Sequence, residues 1–177
     1  MKPNTRDVKK LGGIRMKMFA FAMSFTLLAA SVGAQAPVPT ATPTDRTKAT
    51  HFTAADLRAA LEKLPADRPA SSVRVFTLDP YQVGVEQRQP LPQGASLHEA
   101  QAELFYVIAG SATMLTGGTL VAGKRTGTNI QGTGIEGGTG IVFNTGDFIM
   151  VPSGVAHQFI EITAPVRVMS MYLANPK

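Results

Sequence analysis

Two stretches of the chain contain residue types that can do chemistry. The first places His98 and Glu103 five positions apart, and the second ends in His157. Imidazole and carboxylate groups can bind a divalent metal ion or transfer protons, although a single histidine more often has a structural role. The third histidine of the chain, His51, lies at the edge of a Pro- and Thr-rich segment, and we expect it to face solvent. What the other two histidines do depends on their spacing from Glu103 and from the glycines around them.

These stretches resemble the two sequence motifs of the cupins, small β-barrel proteins that usually hold a metal ion inside. The second motif, G-x5-P-x-G-x2-H, is matched in full by Gly146, Pro152, Gly154 and His157. The first motif, H-x-H-x4-E-x6-G, is matched by His98, Glu103 and Gly110. Ser96 stands in place of the first histidine of that motif. The resemblance covers residues 72–173 and is specific for the fold, but not for a reaction.

The resemblance implies that His98, Glu103 and His157 converge inside the barrel and bind one divalent transition metal ion. Two imidazoles and one carboxylate suit iron, manganese, nickel or zinc without selecting among them. The same ligand set leaves positions open for water, oxygen or a substrate. Because a serine hydroxyl is a poorer ligand than an imidazole, Ser96 leaves two alternatives. Either the metal is held weakly, with water at that position, or the barrel has lost its metal.

We also predict which residues surround this site. Alternation along a strand puts Ser96 on the face of His98, and it puts Glu161 on the face of His157. Glu161 is then either a partner that orients the His157 imidazole or a surface residue. The full set of predicted substrate-pocket residues is Ser96, Gln101, Phe105, Phe159, Glu161, Met169 and Met171.

The resemblance implies a class of function rather than one reaction. We predict an exported, metal-dependent enzyme that acts on a small organic substrate, of the dioxygenase type or of the lyase or isomerase type. The alternative is a non-catalytic protein that binds or senses a small molecule in the apolar barrel. The chain lacks a basic stripe interleaved with aromatic residues, so no nucleic-acid partner is expected. Many cupins pair, and the resemblance therefore implies a homodimer.

The elements that must position these residues are strands preceded by one helix. Leu57, Leu61 and Leu64 recur on one face and predict a helix over residues 53–64, which Thr53 caps. After residue 71, short apolar segments punctuated by Gly and Pro are typical of an all-β sandwich or barrel. We predict the barrel, as the cupin-type double-stranded β-helix or jelly roll. The glycine-rich segment between Thr116 and Gly140 is either a long hairpin or a lid over the barrel mouth.

The N-terminal residues are predicted to direct export. Residues 1–34 contain six basic and one acidic side chain, so the net charge of +5 belongs to them, and an apolar run and small residues follow the basic part. This pattern is typical of a secretory signal peptide, here cleaved after Ala34. The apolar run is shorter than the ~20 residues that span a membrane, so we expect no stable anchor after cleavage. We predict a disordered linker over 35–50, a single domain over 51–177, and a periplasmic or secreted location.

Overall fold

The computed structural model describes residues 44–175. The predicted signal peptide and the greater part of the predicted linker lie outside these residues. Within the described part of the chain, one helix, α1 (Ala54–Glu62), precedes a series of strands. In chain order these are β1 (Ala70–Leu78), β2 (Tyr81–Arg88), β3 (Ala95–His98), β4 (Gln101–Ala109), β5 (Ser111–Thr116), β6 (Thr119–Val121), β7 (Lys124–Thr126), β8 (Asn129–Gly132), β9 (Gly134–Glu136), β10 (Thr139–Asn144), β11 (Phe148–Val151), β12 (His157–Ile160) and β13 (Val166–Ala174).

The helix forms where the leucine spacing predicts it. Thr53 caps α1, because its hydroxyl accepts a hydrogen bond from the Asp56 amide at 3.0 Å and its own amide donates to the Asp56 carboxylate at 3.2 Å. Leu61 is the buried residue of the helix. Among residues 44–175, no helix combines the length and the apolar character needed to cross a membrane.

The strands form two large antiparallel sheets and one small pair. The five-stranded sheet has the order β1-β2-β13-β4-β11, the six-stranded sheet has the order β10-β5-β12-β3-β8-β7, and β6 pairs with β9. The prediction of an all-β architecture with one N-terminal helix is therefore confirmed. In the part of the chain that the structure describes, backbone pairing does not close the sheets into a continuous barrel, since each large sheet keeps two edge strands.

The core lies between the inner faces of the two large sheets. Phe159 of the six-stranded sheet meets Phe105 of the five-stranded sheet edge-to-face, with ring centroids 5.5 Å apart. Phe143 meets Phe159 in the same way at 5.6 Å. Burial of such side chains drives the two sheets together. Glu103 lies beside these apolar groups with only 2% of its surface exposed, so the interior contains a buried carboxylate.

The glycine-rich segment is a long hairpin, which is the first of the two forms predicted for it. Its two arms pair in one register, β6 with β9 and then β7 with β8, and the hairpin of β7 and β8 at its end joins the six-stranded sheet beside β3. The pairing of β3 with β8 places Asn129 opposite His98. Glycine content does not show which distant strand the end of a hairpin joins, so the pairing with β3 was not predicted from the sequence. The segment therefore extends a sheet and reaches the predicted site.

Candidate metal centre

The three predicted metal ligands come from three strands. His98 is the last residue of β3, His157 is the first residue of β12, and Glu103 lies on β4 in the opposite sheet. Two bent residues separate β3 from β4, which supplies the change of direction that the spacing of His98 and Glu103 requires. The carbonyl of His98 accepts a hydrogen bond from the Gly154 amide at 2.8 Å. This contact joins the two sequence motifs directly.

The three side chains meet at one point inside the fold. The Nε2 atom of His98 lies 3.3 Å from Oε2 of Glu103, and the Nε2 atom of His157 lies 3.2 Å from the same oxygen. One possible ligand atom from each residue falls within 4.8 Å of the others. The two imidazole rings are tilted by 42°, with their centroids 5.4 Å apart. These three residues therefore form a group that could hold a metal ion.

The chemistry of this group fits a divalent cation. Oε2 of Glu103 is buried and has no hydrogen-bond partner among residues 44–175. A buried carboxylate oxygen is costly when its only polar neighbours are two imidazole nitrogens that form no well-aligned hydrogen bond to it, because it has lost its water. A metal ion bound between this oxygen and the two imidazoles would supply the missing partner, and nitrogen and oxygen ligands suit the first-row transition metals.

The charge state of the group also favours a cation. Burial alone would raise the pKa of the Glu103 carboxyl, but the imidazoles of His157 and His98 outweigh it and lower this pKa to about 2. Burial would likewise lower the pKa of His98, yet Glu103 and Asn129 raise it above its usual value. Glu103 is therefore an anion at neutral pH, and it provides the negative charge of the site.

Asn129 and Tyr172 also contact His98, and the sequence analysis did not identify either of them. Oδ1 of Asn129 lies 2.8 Å from Nδ1 of His98, and the ring of Tyr172 meets the His98 ring edge-on at 5.1 Å. Burial, followed by the charge of Glu103, raises the pKa of Tyr172, so this residue stays a neutral phenol. Tyr172 lies two positions after the buried Ser170 in β13, so strand alternation places both on the inner face. No sequence signal points to Asn129.

The structure brings four of the predicted pocket residues towards this group. Phe105 lies 5.8 Å from the His157 ring and packs against Phe159. Gln101 occupies the same face of β4 as Glu103, because the two residues are two positions apart in one strand. Ser96 is paired with His157 between β3 and β12 and is half-buried.

Three other predicted pocket residues lie elsewhere, and we correct their placement here. Glu161 follows β12 in a left-handed conformation, with φ of 55°, where it is exposed and accepts a hydrogen bond from Thr113 at 2.5 Å. It does not orient His157, whose Nδ1 has no hydrogen-bond partner among the described residues. Met169 and Met171 lie on the outer face of the five-stranded sheet, because they alternate with residues that face the core. The predicted apolar wall therefore lacks both methionines.

A second charged pair faces the interior from β2. The Arg88 guanidinium donates a hydrogen bond to the Glu86 carboxylate, and both side chains are largely buried. The guanidinium also lies over the Phe159 ring, 4.7 Å from its centroid. The interior thus contains polar groups beyond the three possible metal ligands.

Comparison with known proteins bears on the fold. No protein-family model matches the chain, and no curated protein matches it either. The chain is similar to an uncharacterized Klebsiella pneumoniae protein with a double-stranded β-helix domain, at 15% identity and a TM-score of 0.51, over 72% of this chain and 91% of that one. It is similar to BH2720 of Bacillus halodurans at 15% identity and a TM-score of 0.50, over 76% and 88%. The Cnp3 cupin domain of Schizosaccharomyces pombe matches at 11% identity and a TM-score of 0.48, over 65% and 72%.

Proposed function

We propose that this chain, which has the cupin-type double-stranded β-helix fold, is a metal-dependent enzyme that acts on a small organic molecule. One observation carries the proposal. His98, Glu103 and His157 each direct one possible ligand atom to a common point in the interior, and the carboxylate there has no other partner. A divalent transition metal held by these residues would polarise a bound substrate or support oxygen chemistry.

The surrounding residues have separate tasks in this proposal. Glu103 supplies the charge, and the two imidazoles present their Nε2 atoms beside it. Tyr172 remains protonated next to His98, so its hydroxyl can donate a hydrogen bond to a substrate atom. Phe105 packs against His157 and keeps water from that side of the site.

The reaction is of the dioxygenase type or of the lyase or isomerase type, and the metal decides between them. The combination of two histidines and one carboxylate is the facial triad of non-haem iron oxygenases, which supports the first type with iron. The same set makes an open Lewis-acidic site with manganese, nickel or zinc, which supports the second.

Non-catalytic binding of a small molecule is the second function that we consider. The observation in its favour is Ser96, which lies opposite His157 where the resemblance expects a further histidine. A site with one imidazole fewer binds a metal less tightly, because a neutral hydroxyl is a poor ligand. The interior would then serve as a pocket for an organic ligand without performing chemistry on it.

We also propose export and a homodimer. The composition of residues 1–34 supports export through a cleaved signal peptide. An apolar surface on the outer face of β4 and β11 supports pairing; we call it the outer patch, and it consists of Leu104, Tyr106, Ile108, Phe148 and Met150. Its largest member, Phe148, is 67% exposed. Exposed apolar surface that is continuous across neighbouring strands is typical of a protein interface.

The metal content of three histidine variants tests the proposed function. The full chain is produced in a bacterial host and purified from the periplasm without chelators or affinity metals, and its N-terminus is read by mass spectrometry. We expect a protein that begins after Ala34 and contains close to one transition metal ion per chain. His98→Ala and His157→Ala should each lose that metal while remaining folded.

His51→Ala is the matched control, since His51 is exposed and lies apart from the site. It should retain the metal content of the wild type. Unchanged metal content in either His98→Ala or His157→Ala would exclude the proposed ligands. If the wild type contains no metal and takes up none from iron, manganese, nickel or zinc solutions, the binding function replaces the enzymatic one.

A further inference from the structure

We infer that the hairpin of β7 and β8 positions His98 for metal binding, with Asn129 as the positioning residue. This inference rests on the proposed function, because it concerns the same three ligands. Asn129 lies opposite His98 in the pairing of β3 with β8, and residues opposite each other in antiparallel strands have side chains within contact distance. Oδ1 of Asn129 lies 2.8 Å from Nδ1 of His98, which is a hydrogen-bond distance.

This contact fixes which nitrogen of the imidazole faces the site. A carboxamide oxygen only accepts hydrogen bonds, so Nδ1 of His98 donates to Asn129 and carries a proton. Nε2 is then the nitrogen that faces Glu103, and it would be able to bind a metal once it has lost its own proton. Asn129 therefore turns the correct nitrogen of His98 towards the ligand group.

The same hairpin is bound to the residue that follows His98. The guanidinium of Arg125 on β7 donates two hydrogen bonds to the Glu99 carboxylate, one of them at 2.9 Å. The Glu99 amide donates to the Thr128 carbonyl at 2.9 Å. These contacts hold the end of β3 against the hairpin, so the hairpin supports both the ring of His98 and the backbone beside it.

The two imidazoles of the site are supported differently. Nδ1 of His157 has no hydrogen-bond partner among residues 44–175, whereas Nδ1 of His98 has Asn129. His157 is 4% exposed and is held by packing against Phe105. The side chain of His98 is more exposed, at 14%. Packing therefore holds His157, whereas His98 has a hydrogen bond in addition to its ring contacts.

Metal affinity and the solvent exchange of the Nδ1 proton of His98 together test the inference. We expect Asn129→Ala to weaken zinc binding by roughly 10- to 100-fold, the usual loss when a hydrogen-bond partner of a metal-bound histidine is removed. Asn129→Asp should retain tight binding, because a carboxylate accepts the same hydrogen bond. Zinc affinity is measured by competition with a chromophoric chelator. Proton-detected NMR of the metal-free protein, at a pH where the His98 ring carries both protons, should show an Nδ1 proton that is protected from exchange with solvent in the wild type and exchanges rapidly in Asn129→Ala.

Gln131→Ala is the matched control, because Gln131 is an exposed residue of the same strand that lies opposite Ser96 instead of His98. It should change neither zinc affinity nor the exchange of the Nδ1 proton of His98. The inference is overturned if Asn129→Ala binds zinc as the wild type does, or if Asn129→Asp loses affinity as Asn129→Ala does. If the wild type binds no metal, the proposed function fails, and the exchange of the Nδ1 proton in the metal-free protein still decides whether Asn129 orients His98.

Discussion

Glu103 is a buried carboxylate between two imidazoles, and this placement controls the acid stability of the protein. In the metal-free protein its pKa is about 2 in the folded state, against 4.5 for an unperturbed glutamate. A lowered folded pKa means that the folded state binds the proton less readily than the unfolded state does. The stabilisation is therefore complete above pH 4.5 and is lost as the pH falls towards 2.

We predict that Glu103→Gln removes this part of the acid sensitivity from the metal-free protein. The wild type should lose up to about 3 kcal/mol of unfolding free energy through this residue, at about 1.4 kcal/mol for each pH unit between the two pKa values. Glu103→Gln cannot ionise and should lack that loss. Urea unfolding at a series of pH values between neutral and strongly acid measures the difference.

Glu136→Gln is the control for this series, because it removes an exposed carboxylate on β9 that lies outside the site. Its unfolding free energy should follow the pH dependence of the wild type. If Glu103→Gln also follows the wild type between pH 4.5 and 2, Glu103 is not held as a buried anion.

At the scale of elements, local patterns could be predicted and distant pairings could not. The helix follows from leucine spacing and from the Thr53 cap, both of which act within a few residues. The relative positions of His98 and Glu103 follow from the first motif, which requires a bend between them. The structure has this bend between β3 and β4. The place of Asn129 depends on the pairing of β8 with β3, which lies about thirty residues away in the chain and leaves no periodic signal. Met171 was predicted to face the pocket and lies on the outer face instead. Which residues of β13 point inwards is set by the pairing with neighbouring strands, which the sequence of β13 alone does not show.

Gly118 allows a comparison within one turn of the glycine-rich segment. Its φ is 66°, and an added Cβ would lie 2.2 Å from the carbonyl oxygen of Glu136 and 2.7 Å from the amide nitrogen of Gly138. The neighbouring Gly117 has φ of 75°, but an added Cβ there would meet nothing within 4 Å. Both positions require the left-handed conformation that favours glycine, and only Gly118 also requires the space.

We predict that Gly118→Ala destabilises the protein by clearly more than Gly117→Ala. The left-handed conformation alone costs an alanine about 1–2 kcal/mol, which is the loss of unfolding free energy expected for Gly117→Ala. Gly118→Ala must in addition displace the backbone that joins β9 to β10, because the clash is with main-chain atoms. Urea unfolding of both variants gives the comparison. Equal losses would show that the pairing of β6 with β9 is looser than the structure has it.

At the scale of the whole molecule, the five-stranded sheet has large apolar residues on both faces. Its inner face packs against the six-stranded sheet through Phe105 and its neighbours. On its outer face, Tyr106 and Phe148 of the outer patch pack with their rings tilted by 41° and their centroids 4.7 Å apart, and Met150 beside them is 52% exposed. A sheet that alternates polar and apolar residues would need only one covered face. The composition of this sheet therefore supports the proposed homodimer, in which a second copy covers the patch.

We predict that the double variant Phe148→Lys and Met150→Lys is a monomer where the wild type is a dimer, because paired copies would bring the added charges together in an apolar interface. Its zinc affinity should stay at the wild-type value, since both side chains point away from Glu103. Sedimentation equilibrium measures the mass. Val142→Lys, at an equally exposed apolar position of the six-stranded sheet, is the control and should remain a dimer. A wild type that is monomeric at every concentration, or a double variant that still pairs, would rule out the outer patch as the interface.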